Sequence, residues 1–111
     1  MRTVDVYLDN RLAGRLTERD RDDYEFVYNA QYLADPETPA IALSLPKRDK
    51  PYRSSRIFPF FTNLLPEGSN RKAMCATFKV DDNDFFGMLE MICGMDCIGN
   101  VTLGKEKNEN Y

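Results

Sequence analysis

The sequence contains no histidine, and only three of its 111 residues are cysteines. Without an imidazole base, every catalytic triad or dyad that depends on histidine is excluded. A closed zinc site usually takes four ligands, typically cysteine and histidine, so Cys75, Cys93 and Cys97 would need a carboxylate to complete one. We interpret the cysteines as reduced, small buried hydrophobic residues and predict no metal site.

Glycine-rich phosphate loops are missing as well. Neither GxGxxG nor GxxxxGK[ST] occurs, so no backbone cradle for a nucleotide phosphate is predicted. The acidic run at residues 81–84 is not a calcium loop, because an EF-hand needs glycine at its sixth position and glutamate at its twelfth, where this chain has Phe86 and Ile92. We therefore expect a protein that is not an enzyme, with no catalytic residues and no cofactor.

No apolar run approaches the roughly 18 residues of a transmembrane helix. The first apolar stretch is interrupted by Asp5, unlike the hydrophobic region of a signal peptide, so the expected location is the cytoplasm, without membrane contact. The formal net charge is −3, whereas nucleic-acid-binding proteins usually carry a basic excess. We expect no direct contact with nucleic acid.

The chain does contain a strong hairpin pattern at its start. Apolar and polar residues alternate over residues 3–8 and again over 11–16, which is typical of half-buried strands. Asp9 and Asn10 lie between them, and both residue types tolerate the left-handed backbone of a two-residue turn. The sequence therefore predicts a β-hairpin.

After the hairpin the pattern becomes less regular. Residues 17–23 are charged almost throughout and are predicted to be a solvated loop. Alternation predicts strands at residues 24–28 and 41–45, the second of them ended by Pro46. Residues 47–56 contain five cations and one acid, and are predicted to be a basic loop.

The second half of the chain changes to helical spacing. Pro59 suits the first turn of a helix, Ser69 can cap a second, and residues 82–84 offer N-caps for a third. A last strand is predicted at residues 98–103. The predicted class is α+β, with a small antiparallel β-sheet opened by an N-terminal hairpin and about three short helices packed against it. Residues 1–104 are predicted to form one domain and 105–111 a polar tail.

Four motifs, in the same order and at matching spacing from residue 4 to about 103, resemble the N-terminal subdomain of HipA proteins. The motifs are Val6 to Asn10 with Leu12 and Gly14; Leu43 to Pro46; Phe60 and Phe61 with Leu64 to Gly68 and Arg71; and Gly94 to Asp96 with Gly99. One departure is Asn100, where the family usually has a small residue.

The resemblance implies a function. HipA proteins are serine/threonine kinase toxins of bacterial toxin–antitoxin systems, and this subdomain precedes their catalytic core. No residue of this chain matches the ATP-binding or catalytic residues of that core. The chain is similar to HipS, the stand-alone subdomain of three-gene systems, in which HipT is the shortened kinase and HipB the DNA-binding member. We expect an antitoxin-type regulatory protein that binds and neutralises a HipT-like kinase.

Two other functions are compatible with the same resemblance. The chain could be a non-catalytic subunit that completes or activates a split HipA-type kinase. It could instead be a scaffold that bridges the kinase and a HipB-like DNA-binding protein in a ternary complex.

The predicted partner surface centres on residues 58–71. Because some of the large apolar side chains there must fill the domain core, the exposed contacts are expected to come from the polar turn that follows them. The basic loop is predicted to assist. The predicted interface residues are Glu67, Ser69, Asn70, Arg71, Lys47, Arg48 and Arg53.

Overall fold

A five-stranded antiparallel sheet organises the domain, with the strand order β4-β3-β2-β1-β5. The computed structural model describes residues 2–65, 67–81, 83–93 and 101–105. The strands are β1 Arg2–Leu8, β2 Arg11–Asp20, β3 Asp23–Tyr28, β4 Tyr52–Ser54 and β5 Val101–Lys105. The helices are α1 Ala30–Ala34, α2 Pro59–Thr62, α3 Gly68–Phe78 and α4 Phe85–Met91. The predicted α+β class is confirmed, with α1 in the first half of the chain in addition to the three helices expected in the second half.

The N-terminal hairpin forms as predicted. Leu8 pairs with Arg11, and the two turn residues between them, Asp9 and Asn10, have φ angles of 51° and 65°. This left-handed pair matches the right-handed twist of the flanking strands. Further along β2, a Cβ on Gly14 would lie 2.4 Å from the Val27 carbonyl oxygen, so only glycine fits where the two backbones approach.

The predicted solvated loop at residues 17–23 is wrong. Strand β2 continues to Asp20, and a tight turn at Arg21 and Asp22 leads directly into β3. Cross-strand pairs offset the charges: Arg19 donates to Glu25 at 3.3 Å, and Arg2 donates to Glu18 at 2.7 Å. Opposite charges on neighbouring strands stabilise a ladder, so a charged run need not be a loop.

The predicted strand at residues 41–45 is also wrong. The chain reverses there in a tight turn, in which the Leu45 amide donates to the Ala42 carbonyl at 3.1 Å. Ile41 and Leu45 are buried, but Leu43 between them is exposed. The fourth strand of the sheet is β4, which lies inside the predicted basic loop and pairs with β3 through Tyr52 and Phe26.

The hydrophobic core lies between one face of the sheet and the helices. Phe61 of α2 and Phe86 and Leu89 of α4 are fully buried against strand residues. Among the buried apolar residues of the strands are Val4, Val6, Ala13, Leu16, Phe26, Tyr28, Val101 and Leu103. Burying this much apolar surface is the main favourable contribution to folding.

The opposite face of the sheet is polar. Paired residues of antiparallel strands point to the same face, so Asp5 and Arg15 share this face with Val27. The Asp5 carboxylate is buried and accepts a hydrogen bond from Arg15 Nε at 3.0 Å. By the same register, Thr17, Glu25 and Arg53 lie side by side on it.

The helix starts agree in part with the sequence. Pro59 begins α2, and the Asp84 carboxylate caps α4 by accepting from the Gly87 amide at 3.0 Å, both as predicted. The predicted cap at Ser69 is wrong, because α3 begins one residue earlier, at Gly68. Gly94, and residues 98–100 of the last predicted strand, lie outside the described residues. Within the described ranges, no helix is both long and apolar enough to cross a membrane.

Candidate protein-binding surfaces

The aromatic residues before α3 belong to the core. The Phe61 ring is fully buried and lies 5.7 Å from Phe26, 5.1 Å from Phe60 and 6.3 Å from Phe58, measured between centroids. Leu65 is buried as well, and Leu64 is half-buried against the core. The apolar half of the predicted surface at residues 58–71 therefore contributes to folding, as the sequence led us to expect.

The polar turn at the start of α3 is exposed. Glu67, Ser69 and Asn70 are accessible to solvent, and the side chain of the N-cap residue, Glu67, makes no capping hydrogen bond. Arg71 is half-buried, with its guanidinium 5.3 Å from the centroid of the Phe85 ring. These four predicted interface residues are thus brought together on one helical turn.

Most of the remaining surface of α3 is also exposed. Of its 11 residues only Cys75 is buried, while Arg71 and Met74 are half-buried on the side of the helix that includes Cys75. Phe78, at the last turn, is one of the exposed large apolar side chains. Such a helix presents a broad accessible surface on a scaffold fixed by other elements.

Lys47 is largely committed to contacts within the chain. Its ammonium donates to the Asp35 carbonyl at 2.9 Å, to the Thr38 carbonyl at 2.9 Å and to the Thr38 hydroxyl at 2.7 Å. It also lies 5.5 Å from the centroid of the Tyr32 ring. The structure therefore assigns Lys47 to holding the preceding loop in place.

The other two predicted cations lie apart from each other. Arg48 is exposed, stacks 3.5 Å over the Tyr52 ring, and donates to the carbonyls of Lys50 and Pro51 at 3.1 and 2.9 Å. Arg53 pairs with Asp23 at 3.0 Å on the polar face of the sheet, opposite to the core. The basic loop is consequently not one continuous patch, because its cations are divided between the loop and that face.

Three tyrosine hydroxyls hold the loop at residues 39–46, a feature that the sequence analysis missed. The Tyr28 hydroxyl accepts from the Ile41 amide at 3.1 Å and donates to the Leu45 carbonyl. Tyr32 and Tyr52 donate to the carbonyls of Pro39 and Pro46, each at 2.6 Å. Burial raises the pKa of Tyr28 to about 12.

Arg2 links the sheet to α4. Its guanidinium donates to Glu18 at 2.7 and 2.9 Å and to Asp84 at 2.9 and 3.0 Å, and lies 5.2 Å from the centroid of the Phe86 ring. The hydrogen bonds from Arg2 lower the pKa of the Asp84 carboxyl below its ordinary value. Arg2, Glu18 and Asp84 line a polar cleft of about 470 Å³, in which the Arg2 guanidinium pairs with both carboxylates.

No group of acidic and cysteine side chains in the described ranges is arranged to hold a metal ion. Cys75 is buried and Cys93 half-buried, and the Cys93 thiol donates to the Leu89 carbonyl at 3.5 Å, whereas Cys97 lies outside those ranges. The start of α3 and the loop at residues 39–48 both present exposed side chains.

The sequence pattern of the family described as HipA N-terminal domain matches residues 4–104. The chain belongs to the HipA N-terminal domain family. The fold agrees, because a solved structure titled N-terminal domain of HipA toxin superimposes with a TM-score of 0.71. That match is 26% identical in sequence and covers 98% of this chain and 96% of the other. The family resemblance of the sequence is thereby confirmed.

Two relatives show this HipA N-terminal domain in proteins of different length. Y4mE of Sinorhizobium fredii, whose name describes it as a putative kinase, is 33% identical over 109 residues, and the match covers 98% of this chain but only 26% of that protein. A protein of Haemophilus influenzae, whose name states no function, is 31% identical over 107 residues, covering 96% of this chain and 95% of the relative.

Proposed function

We propose that this chain is a HipS-like antitoxin-type regulatory protein that binds and restrains a HipA-type serine/threonine kinase in the cytoplasm. In this proposal the chain has no catalytic activity of its own. It occupies the surface of the kinase that a fused N-terminal domain would otherwise cover. A HipB-like DNA-binding protein would be the third component of the complex.

The observation that carries the proposal is the contrast between the two relatives. The same domain makes up about a quarter of a protein named as a kinase and nearly all of a second protein. The domain is thus part of a long chain in one protein and nearly the whole of a short chain in another. A separate chain of this kind is well suited to bind a kinase that lacks the domain.

The described surface supports the same proposal. An antitoxin must remain bound to its toxin at cellular concentrations. This requires a nanomolar Kd, which corresponds to a binding free energy of about −12 kcal/mol. An interface that buries about 800 Å² of surface on each partner can supply this binding free energy when it includes a few buried anchor residues. The exposed side of α3, with Glu67, Ser69 and Asn70 at its start and the half-buried Arg71 next to them, provides a helical surface for such an interface.

Co-purification followed by a kinase assay tests the proposal. The chain would be expressed with a HipA-type kinase from the same genome, and phosphorylation by the purified kinase would be measured with and without added chain. We expect a stable complex and reduced phosphorylation. Increased phosphorylation would favour the subunit that completes a split kinase. A complex with unchanged activity that recruits a HipB-like protein would favour the scaffold, and absence of binding would contradict all three.

A further inference from the structure

Leu43 is exposed to an unusual degree for a large apolar side chain. Its relative accessibility is 102%, whereas Ile41 and Leu45 on either side are 7% and 3% accessible. We call residues 41–46 the Leu43 turn. A single exposed leucine is common on protein surfaces and by itself indicates nothing. What distinguishes this one is the way its turn is held.

The Leu43 turn is fixed from both sides. The Tyr28 hydroxyl bonds to the backbone of Ile41 and of Leu45, and Tyr52 bonds to the carbonyl of Pro46. Tyr28 is itself buried in the core. The backbone that presents Leu43 is therefore ordered before any partner arrives, which reduces the conformational entropy lost on binding.

The charge that follows the turn indicates the chemistry of the partner. Residues 47–56 contain five cations and one acid in a chain whose net charge is −3. Among these cations, Arg48 is exposed and stacks over the ring of Tyr52, whose hydroxyl bonds to Pro46 at the end of the Leu43 turn. An apolar side chain on a turn that is linked to an exposed cation through Tyr52 complements an apolar pocket with an acidic rim, since such a rim steers the encounter and fixes the orientation.

We propose that Leu43 is an anchor residue that enters an apolar pocket with an acidic rim on the kinase. This inference rests on the proposed function, and names the residue on this chain and the partner chemistry it fits. The Leu43 side chain contributes little to the stability of the isolated domain, because full exposure leaves it few internal contacts. Its contribution is to affinity.

The decisive measurement is the Kd for the purified kinase, by titration calorimetry, of the full chain and of Leu43→Ala. We expect binding to weaken about thirtyfold, which is typical of burying one leucine side chain, with an unchanged melting temperature. Ser44→Ala is the matched control within the turn. Met91→Ala controls for an exposed apolar residue elsewhere. Both controls should change the Kd by less than about threefold.

Two further variants test the rim and the fixed turn. Leu43→Glu should bind more weakly than Leu43→Lys, because the acidic rim repels the carboxylate and attracts the ammonium. Tyr28→Phe keeps the leucine at position 43 but removes both hydrogen bonds from the tyrosine hydroxyl to the turn. It should weaken binding at a temperature where circular dichroism shows the variant to be folded. Equal affinities of the Glu and Lys variants would contradict the acidic rim.

The outcomes separate this inference from the proposed function. If the unaltered chain binds the kinase and Leu43→Ala binds equally well, the anchor is wrong while the proposed function stands. If the unaltered chain does not bind, both fail. If Leu43→Ala instead turns a dimer of this chain into a monomer in sedimentation experiments, or abolishes retention of nucleic acid, Leu43 serves a different surface and the inference is overturned.

Discussion

Helices α3 and α4 contribute to the domain in opposite ways. Four of the seven residues of α4 are buried, namely Phe86, Gly87, Met88 and Leu89, whereas α3 buries only Cys75 among 11 residues. The longer helix therefore adds less to the core. A helix with so little burial gains little from tertiary packing, which normally supplies most of the stability of short helices. The comparison separates an element that holds the fold from one that offers a surface.

The largest expected effect is in α4. Phe86→Ala removes a fully buried ring and should lower the free energy of unfolding by about 3–5 kcal/mol, which is much of the stability of a small domain. Phe78→Ala at the end of α3 is the matched control, because that ring is already 47% exposed, and should cost about 1 kcal/mol or less. Urea unfolding of both variants measures the difference. Similar losses would show that α3 is as much a part of the core as α4.

A backbone change within α3 should have a smaller effect. Ala73 lies in the middle of the helix and is exposed, so Ala73→Gly should cost only the difference in helix propensity, about 1 kcal/mol. The change in urea midpoint would measure this cost. A loss of several kcal/mol would mean that α3 supports contacts beyond its own backbone.

The ion pair between Arg2 and Asp84 should make the free energy of unfolding depend on pH. Arg2 lowers the pKa of Asp84, so the carboxylate stabilises the folded state above its unfolded pKa of about 3.9, and this contribution is lost as pH falls through the lower folded value. Because both side chains are 34% exposed, solvent screening should limit the effect to about 0.5–1 kcal/mol.

Asp84→Asn isolates this charge effect, because the amide oxygen can still cap α4. Unfolding measured between pH 6 and pH 2 should show a smaller loss of stability for the variant than for the unaltered chain. Parallel pH profiles would mean that the Asp84 charge does not couple α4 to the sheet.

The smallest effect on stability, and a large one on binding, is expected at the start of α3. Glu67→Ala combined with Arg71→Ala should lower unfolding free energy by about 1 kcal/mol or less, since Glu67 is exposed and Arg71 only half-buried. We expect kinase affinity to fall at least about tenfold. Arg48→Glu is the companion test for the loop, and is cleaner than a change at Lys47, whose ammonium fixes the backbone at Asp35 and Thr38. Unchanged affinity in both variants would place the interface on another face.

The sequence predicted those elements whose causes are local. The hairpin follows from alternation and from two residues that accept left-handed backbone, and the start of α4 follows from a carboxylate three residues before the amide it caps. The Leu43 turn could not be predicted in this way. Alternation at Ile41, Leu43 and Leu45 resembled a strand, but a hydroxyl 17 residues before Leu45 decides the conformation.

The surface was predictable only in part. The exposed turn at Glu67 to Arg71 follows from its polar composition, and the structure places it on one helical turn. The cations of the basic loop lie on different surfaces because β4 runs through this loop. The pairing of β4 with β3 places Arg53 on the polar face of the sheet and Tyr52 on the core face. Because β3 is distant from β4 in sequence, the density of charge along the chain does not predict this pairing.

The tyrosine contacts also have a consequence for the order in which parts of the domain open. The amide of Ile41 lies outside the strands, yet it donates to a hydroxyl rooted in β3. Its hydrogen can exchange with solvent only when this hydrogen bond opens, and the accepting hydroxyl belongs to a ring that is buried in the core. We therefore expect the Ile41 amide to exchange slowly for an amide outside the strands, because its protection depends on a contact with β3.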